Sequence, residues 1–192
     1  MCRTLSPMTI AAVLLSGAAA TSAQSPTTAP ANAGTDSVAT AVLRPAGAAT
    51  TRPTLRSVGG TVTFTPLTDG RVRVTGQVTG LEPGGVHAIH VHETPDLSSP
   101  TLDSAGGHFN PGGHPHGGPD AAARHAGDLG NLSAGPDGAA RIDRTVTGLS
   151  VGTGAADDVV GRPLIVHANP DDLTSQPTGN AGDRVAGGLI GR

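Results

Sequence analysis

The 192-residue chain has no Trp, no Tyr and only two Phe, Phe64 and Phe109, while 29 Gly and 16 Pro make up almost a quarter of it. A composition this loose excludes a helix bundle and asks for local evidence of strands and bounded turns. Lysine is also missing: the 12 basic residues are all Arg, against 15 acidic ones, for a formal charge of −3. Without a basic patch or stripe, nucleic acid is excluded as a partner. The one cysteine is Cys2, so the chain can close no disulfide within itself. Long hydrophobic runs are absent too. The longest, about Met8 to Ala20, is too short to span a bilayer.

That run lies between Arg3 and Thr21-Ser22-Ala23, the pattern of a cleavable secretory signal. Residues 1–23 are accordingly expected to be a signal peptide, with export to a periplasmic or extracellular location and no membrane anchor in the mature form. From Gln24 onward the charge is −4, and no cysteine remains. Residues 24–56 are rich in Ala, Thr, Pro and Ser with few large apolar side chains, and are expected to be a flexible tether. Residues 57–192 are about one domain.

What the chain does have is histidine. There are eight, seven of them between His87 and His125. Thr61–Thr65 and Val72–Val78 alternate apolar and polar residues around Thr68-Asp69-Gly70, which predicts a β-hairpin. Shorter runs at Val86–His92, Ala139–Val146, Leu164–His167 and Ala186–Ile190 extend the pattern to an all-β antiparallel sandwich or barrel. Strand parity turns His90 and His92 to one side and His87 to the other, where a packed core histidine is expected. His108, His116, His125 and Asp128 follow in or beside a long Gly- and Pro-rich stretch, and His167 ends a later strand. Imidazole suits copper and zinc, and a carboxylate among imidazoles suits zinc. His114, beside Pro115, reads as a solvated loop residue.

These residues resemble the copper/zinc superoxide dismutase family. The resemblance is carried by His90-Val91-His92-Glu93, Ser104–Pro111 around His108, His116-Gly117-Gly118-Pro119, Arg124–Asn131, Gly161–His167, Asp171-Asp172-Leu173, Thr178–Arg184 and Gly188–Gly191. It covers about Val58 to Arg192. It implies an eight-stranded Greek-key β-barrel, with copper on His90, His92, His108 and His167 and zinc on His108, His116, His125 and Asp128. His108 would bridge the two metals and act as a general acid, Asp171 would hold His90 and His116, and Arg184 would hold the anion. The implied activity is dismutation of superoxide. The alternative is a non-catalytic exported copper/zinc-binding module on the same fold, which has no need of an anion-guiding arginine; a copper-only enzyme would not need the complete zinc set. One departure is evident: the family's disulfide positions fall at about Leu102 and Gly187. Losing a bond that contributes about 2–4 kcal/mol bears on loop rigidity and on the usual dimer contact, so the sequence leaves a homodimer open.

Overall fold

The computed structural model describes residues 38–47 and 52–192, together with Met1. The expected signal peptide beyond Met1 and most of the expected tether lie outside the described residues. Eight strands form one antiparallel sheet: β1 (Ala39–Pro45), β2 (Gly59–Pro66), β3 (Val72–Thr79), β4 (Val86–Val91), β5 (Asp128–Ser133), β6 (Ala140–Val146), β7 (Pro163–His167) and β8 (Arg184–Gly191). Their order is β5-β4-β7-β8-β1-β2-β3-β6, and the two outer members, β5 and β6, lie against each other. The result is a nearly closed barrel, which leaves little exposed strand edge. The expected hairpin is β2–β3, paired from Gly59↔Thr79 to Pro66↔Val72. Gly70 in its turn has φ +82°, a conformation open to Gly at little cost.

The tether expectation is corrected in part. Within 24–56, residues 39–45 form β1, which pairs with both β2 and β8. Ala39, Ala41 and Leu43 are buried at alternate positions, so the strand fills a slot too narrow to announce itself by large side chains. Further on, Leu55 is fully buried in the 3-10 turn Pro53–Leu55, a burial typically worth about 1.5–3 kcal/mol. The folded unit therefore begins well before residue 57.

Two layers meet on β4. Ile89 and Val91 join Phe64, Val74, Leu132, Leu164, Val166 and Ile190 in the barrel core, while His90, with the opposite parity, turns outward beneath the 93–127 loop. On β7, Val166 faces the core, whereas Ile165 joins a separate apolar cluster with Leu102 and Ala105. The β4–β5 register shifts between Ala88 and His90, and the β7–β8 register between Val166 and His167. Such irregularities re-aim side chains, and here both lie at histidines of the outer layer.

Candidate metal centre

Seven residues form two overlapping, buried groups. His90, His92, His108 and His167 each offer a ring nitrogen within 4.8 Å of the others, and the ring nitrogens of His108, His116 and His125 and a carboxylate oxygen of Asp128 lie equally close together. Strand β4 supplies His90, the bridge His92↔His108 fastens the long loop to the residue just after that strand, and β7 ends on His167. Asp128 opens β5.

Hydrogen bonds fix which nitrogen of each ring carries the proton. His92 Nδ1 lies 3.0 Å from the carbonyl of Gly106, and His167 Nδ1 lies 3.2 Å from that of Gly182. A carbonyl can only accept, so both Nδ1 atoms carry hydrogen and both Nε2 atoms are lone pairs. Those lone pairs face each other at 3.3 Å. Asp171 repeats the device across the two groups: His90 Nε2 donates to its Oδ2 at 2.8 Å and His116 Nε2 to its Oδ1 at 2.9 Å. The opposite atoms, His90 Nδ1 and His116 Nδ1, are buried with no hydrogen-bond partner, as are His108 Nε2 and His125 Nδ1.

In the second group three ring nitrogens converge on Asp128 Oδ1. His108 Nδ1 lies at 2.8 Å, His116 Nδ1 at 3.1 Å and His125 Nδ1 at 3.4 Å. Only the first has hydrogen-bond geometry. The other carboxylate oxygen accepts the backbone N–H groups of Gly117 and His125.

The electrostatics keep these donors ready. Burial, reinforced by neighbouring imidazoles, holds the pKa of His90 and His92 well below 6.5, and burial brings His167 down to about 3. His125 is lowered by burial too. Burial alone would raise Asp128, but the hydrogen bonds from His108 and the Gly117 N–H outweigh it and hold the carboxylate below its usual value. Burial thus favours the neutral form of His90, His92, His125 and His167, while Asp128 favours its ionised form.

The family model of copper/zinc superoxide dismutase matches residues 58–190. The chain belongs to the copper/zinc superoxide dismutase family. Among solved structures, that of the clock protein EA4 is 40% identical, covering 81% of this chain and 94% of that one, with a TM-score of 0.69.

The two ions this family implies fit the residues present. Ligand bonds of about 2.0–2.1 Å around a tetrahedral zinc place neighbouring donors about 3.3 Å apart, close to the 2.8–3.4 Å separations at Asp128 Oδ1. Facing lone pairs and unpartnered buried nitrogens are costly without a cation between them, and an all-imidazole set suits copper. His108 belongs to both sets, Nε2 to the first and Nδ1 to the second.

Beside the first set stands Arg184, whose Nη1 and Nη2 donate to the carbonyls of Leu102 and Gly106 at 2.6 and 2.7 Å. Gly106 O thus serves His92 and Arg184 together. The side chain of Leu102 lies over Gly187: a Cβ added there would come within 3.1 Å of Leu102 Cδ1 and 2.9 Å of Ile165 Cδ1. His87 is the expected core histidine, its Nδ1 donating to the carbonyl of His167 at 3.1 Å, and His114 is exposed.

Four supporting residues escape sequence reasoning. The amide of Asn131 accepts from the N–H of Asp171 and donates to its carbonyl. Gln176 clamps the backbone of His116 in the same way, at 2.8 Å on both sides. Arg124 donates to the carbonyls of His125, Ala126 and Thr147. Asp103 faces Arg184. Asn131 lies in a motif of the resemblance, but nothing in its spacing marks an amide that reaches 40 positions along the chain.

Proposed function

We propose that the protein is a superoxide dismutase, with copper on His90, His92, His108 and His167 and zinc on His108, His116, His125 and Asp128. The observation that carries this reading is the shared His108 ring, one nitrogen in each set, with Arg184 alongside. Copper held there would supply a Cu(II)/Cu(I) couple able to accept an electron from one superoxide and return it to a second, whereas zinc has no redox chemistry.

The chain's own groups supply the rest. With His108 Nδ1 turned to Asp128 Oδ1 on the side of the second set, Nε2 is the nitrogen at which this ring would take up and release a proton. That makes His108 the general acid for one of the two protons that hydrogen peroxide needs. Asp171 orients His90 and His116 and sets their tautomers. Arg184, with Nη1 and Nη2 braced by carbonyls, offers a fixed positive charge and directional donors to a small anion.

The test is superoxide dismutation by the chain reconstituted with copper and zinc, with metal analysis of the same sample. Activity at about one copper and one zinc per chain supports the reading. Full loading without activity replaces it by the metal-binding module. Arg184→Ala is expected to lower kcat/KM about tenfold, the scale of one charge-assisted hydrogen bond, at unchanged metal content; an unchanged rate removes the assigned role.

A further inference from the structure

The turn that braces Arg184 also carries a carboxylate directed at it. Residues 102–106 enter through Leu102 at φ +61°, pass through the 3-10 turn Asp103–Ala105 and leave through Gly106 at φ +71°. Its two ends present the carbonyls that accept from Nη1 and Nη2. Between them Asp103 places Oδ1 3.9 Å from Arg184 Nε. The carboxylate is not loose, because its Oδ2 accepts from Thr101 Oγ1 at 2.7 Å, and that hydroxyl is in turn 2.8 Å from Ser99 Oγ. Arg184 is only 18% exposed, whereas Asp103 is 74% exposed. An anion arriving from solvent at Arg184 therefore comes within range of an exposed acid held beside the guanidinium. Asp103 is also the carboxylate whose charge registers on Arg184, raising its pKa against the lowering by burial.

We propose that Asp103 is a charge brake on anion capture: it offsets part of the positive charge of Arg184 and so weakens the binding of small monovalent anions beside the copper donors. For the identity of the physiological anion, superoxide, this rests on the function proposed above; for anions as a class it does not. An exposed ion pair of this separation is worth a few tenths to one kcal/mol, so removing the carboxylate should tighten anion binding about two- to fivefold. The gain should shrink as salt rises, since the interaction is screened over about 10 Å at 0.1 M.

The experiment compares the full chain, Asp103→Asn, and Asp137→Asn as a control that removes the same charge from the β5–β6 turn. Azide is titrated at low and high ionic strength. Binding is followed through the visible absorption of the copper-loaded protein, and, in the zinc-only protein, where no paramagnetic Cu(II) broadens it, through the Arg184 Nε–H resonance by NMR. The expected result is a two- to fivefold lower azide Kd at low salt for Asp103→Asn only, converging on the parent at high salt. Equal Kd values for the two variants, or a salt-independent gain, overturn the proposal. Superoxide kcat/KM measured on the same samples separates the two readings. A parent without dismutase activity whose Asp103→Asn variant still binds azide more tightly removes the function and keeps the brake. An active parent with unaltered azide binding in the variant removes the brake and keeps the function.

Discussion

Replacing Asp171 by Asn would put an amide N–H where His90 Nε2 or His116 Nε2 now donates to a carboxylate oxygen 2.8–2.9 Å away. One of the two rings would have to change tautomer and so protonate a nitrogen that belongs to a donor set. Asp171→Asn is therefore expected to weaken copper or zinc binding about 10- to 100-fold, the usual effect of losing such a partner. Chelator competition measures it, and unaltered affinity for both metals would contradict the role. Histidine protonation acts in the same place. In the unfolded chain a histidine titrates near 6.5, whereas burial holds His167 at about 3 and His90 and His92 well below 6.5. The unfolded state then binds more protons as pH falls below about 6.5, so the metal-free fold loses stability from there down toward pH 3. Urea unfolding of the metal-free protein between pH 7.5 and 4 should show a falling midpoint; a flat one would sink the claim.

At the level of elements, the apolar cluster of Leu102, Ala105 and Ile165, with Leu97 and Ala46 packed against it, ties the 93–107 loop to β7 and β8, where the sequence resemblance implies a disulfide in relatives. Leu102→Ala should cost about 2–5 kcal/mol and loosen Arg184, whose Nη1 depends on the carbonyl of that same residue. Chemical denaturation checks the first effect. Strand β1 makes a sharper prediction, because it sits inside the sheet between β8 and β2. A chain starting at Val58 should fail to give a dispersed NMR spectrum even with both metals added, and a folded product would show β1 to be dispensable. This is also where the sequence was least legible. Alternation in Thr61–Thr65 and Val72–Val78 revealed β2 and β3, and the parity of His90 and His92 was read directly. In β1 the inward positions are two alanines and a leucine, which composition assigns to a tether. In β5, Gly130 and Asn131 break the alternation, and the strand begins on the metal-site carboxylate. The braces of Arg184 and the approach of Asp103 depend on the left-handed backbone at Leu102, which has no signature in a Leu-Asp-Ser sequence.

Over the whole molecule, the two donor sets join segments that are far apart in the sequence: β4, the 93–127 loop, the start of β5 and the end of β7. Metal ions bound there would link four parts of the chain, so their binding energy becomes folding energy. Chelation is expected to lower the melting temperature by well over ten degrees, on the scale of about 2–4 degrees per kcal/mol for a domain near this size and a metal contribution of about 10 kcal/mol. Equal melting curves with and without chelator would show that the donors do not act as a staple. The Leu102–Gly187 contact carries a last consequence. Residues 58–192 contain no thiol, and a hydrocarbon contact occupies the place of a bond that elsewhere has to be oxidised into existence. A domain without thiols needs no oxidase to close that contact and can form no mispaired disulfide within itself.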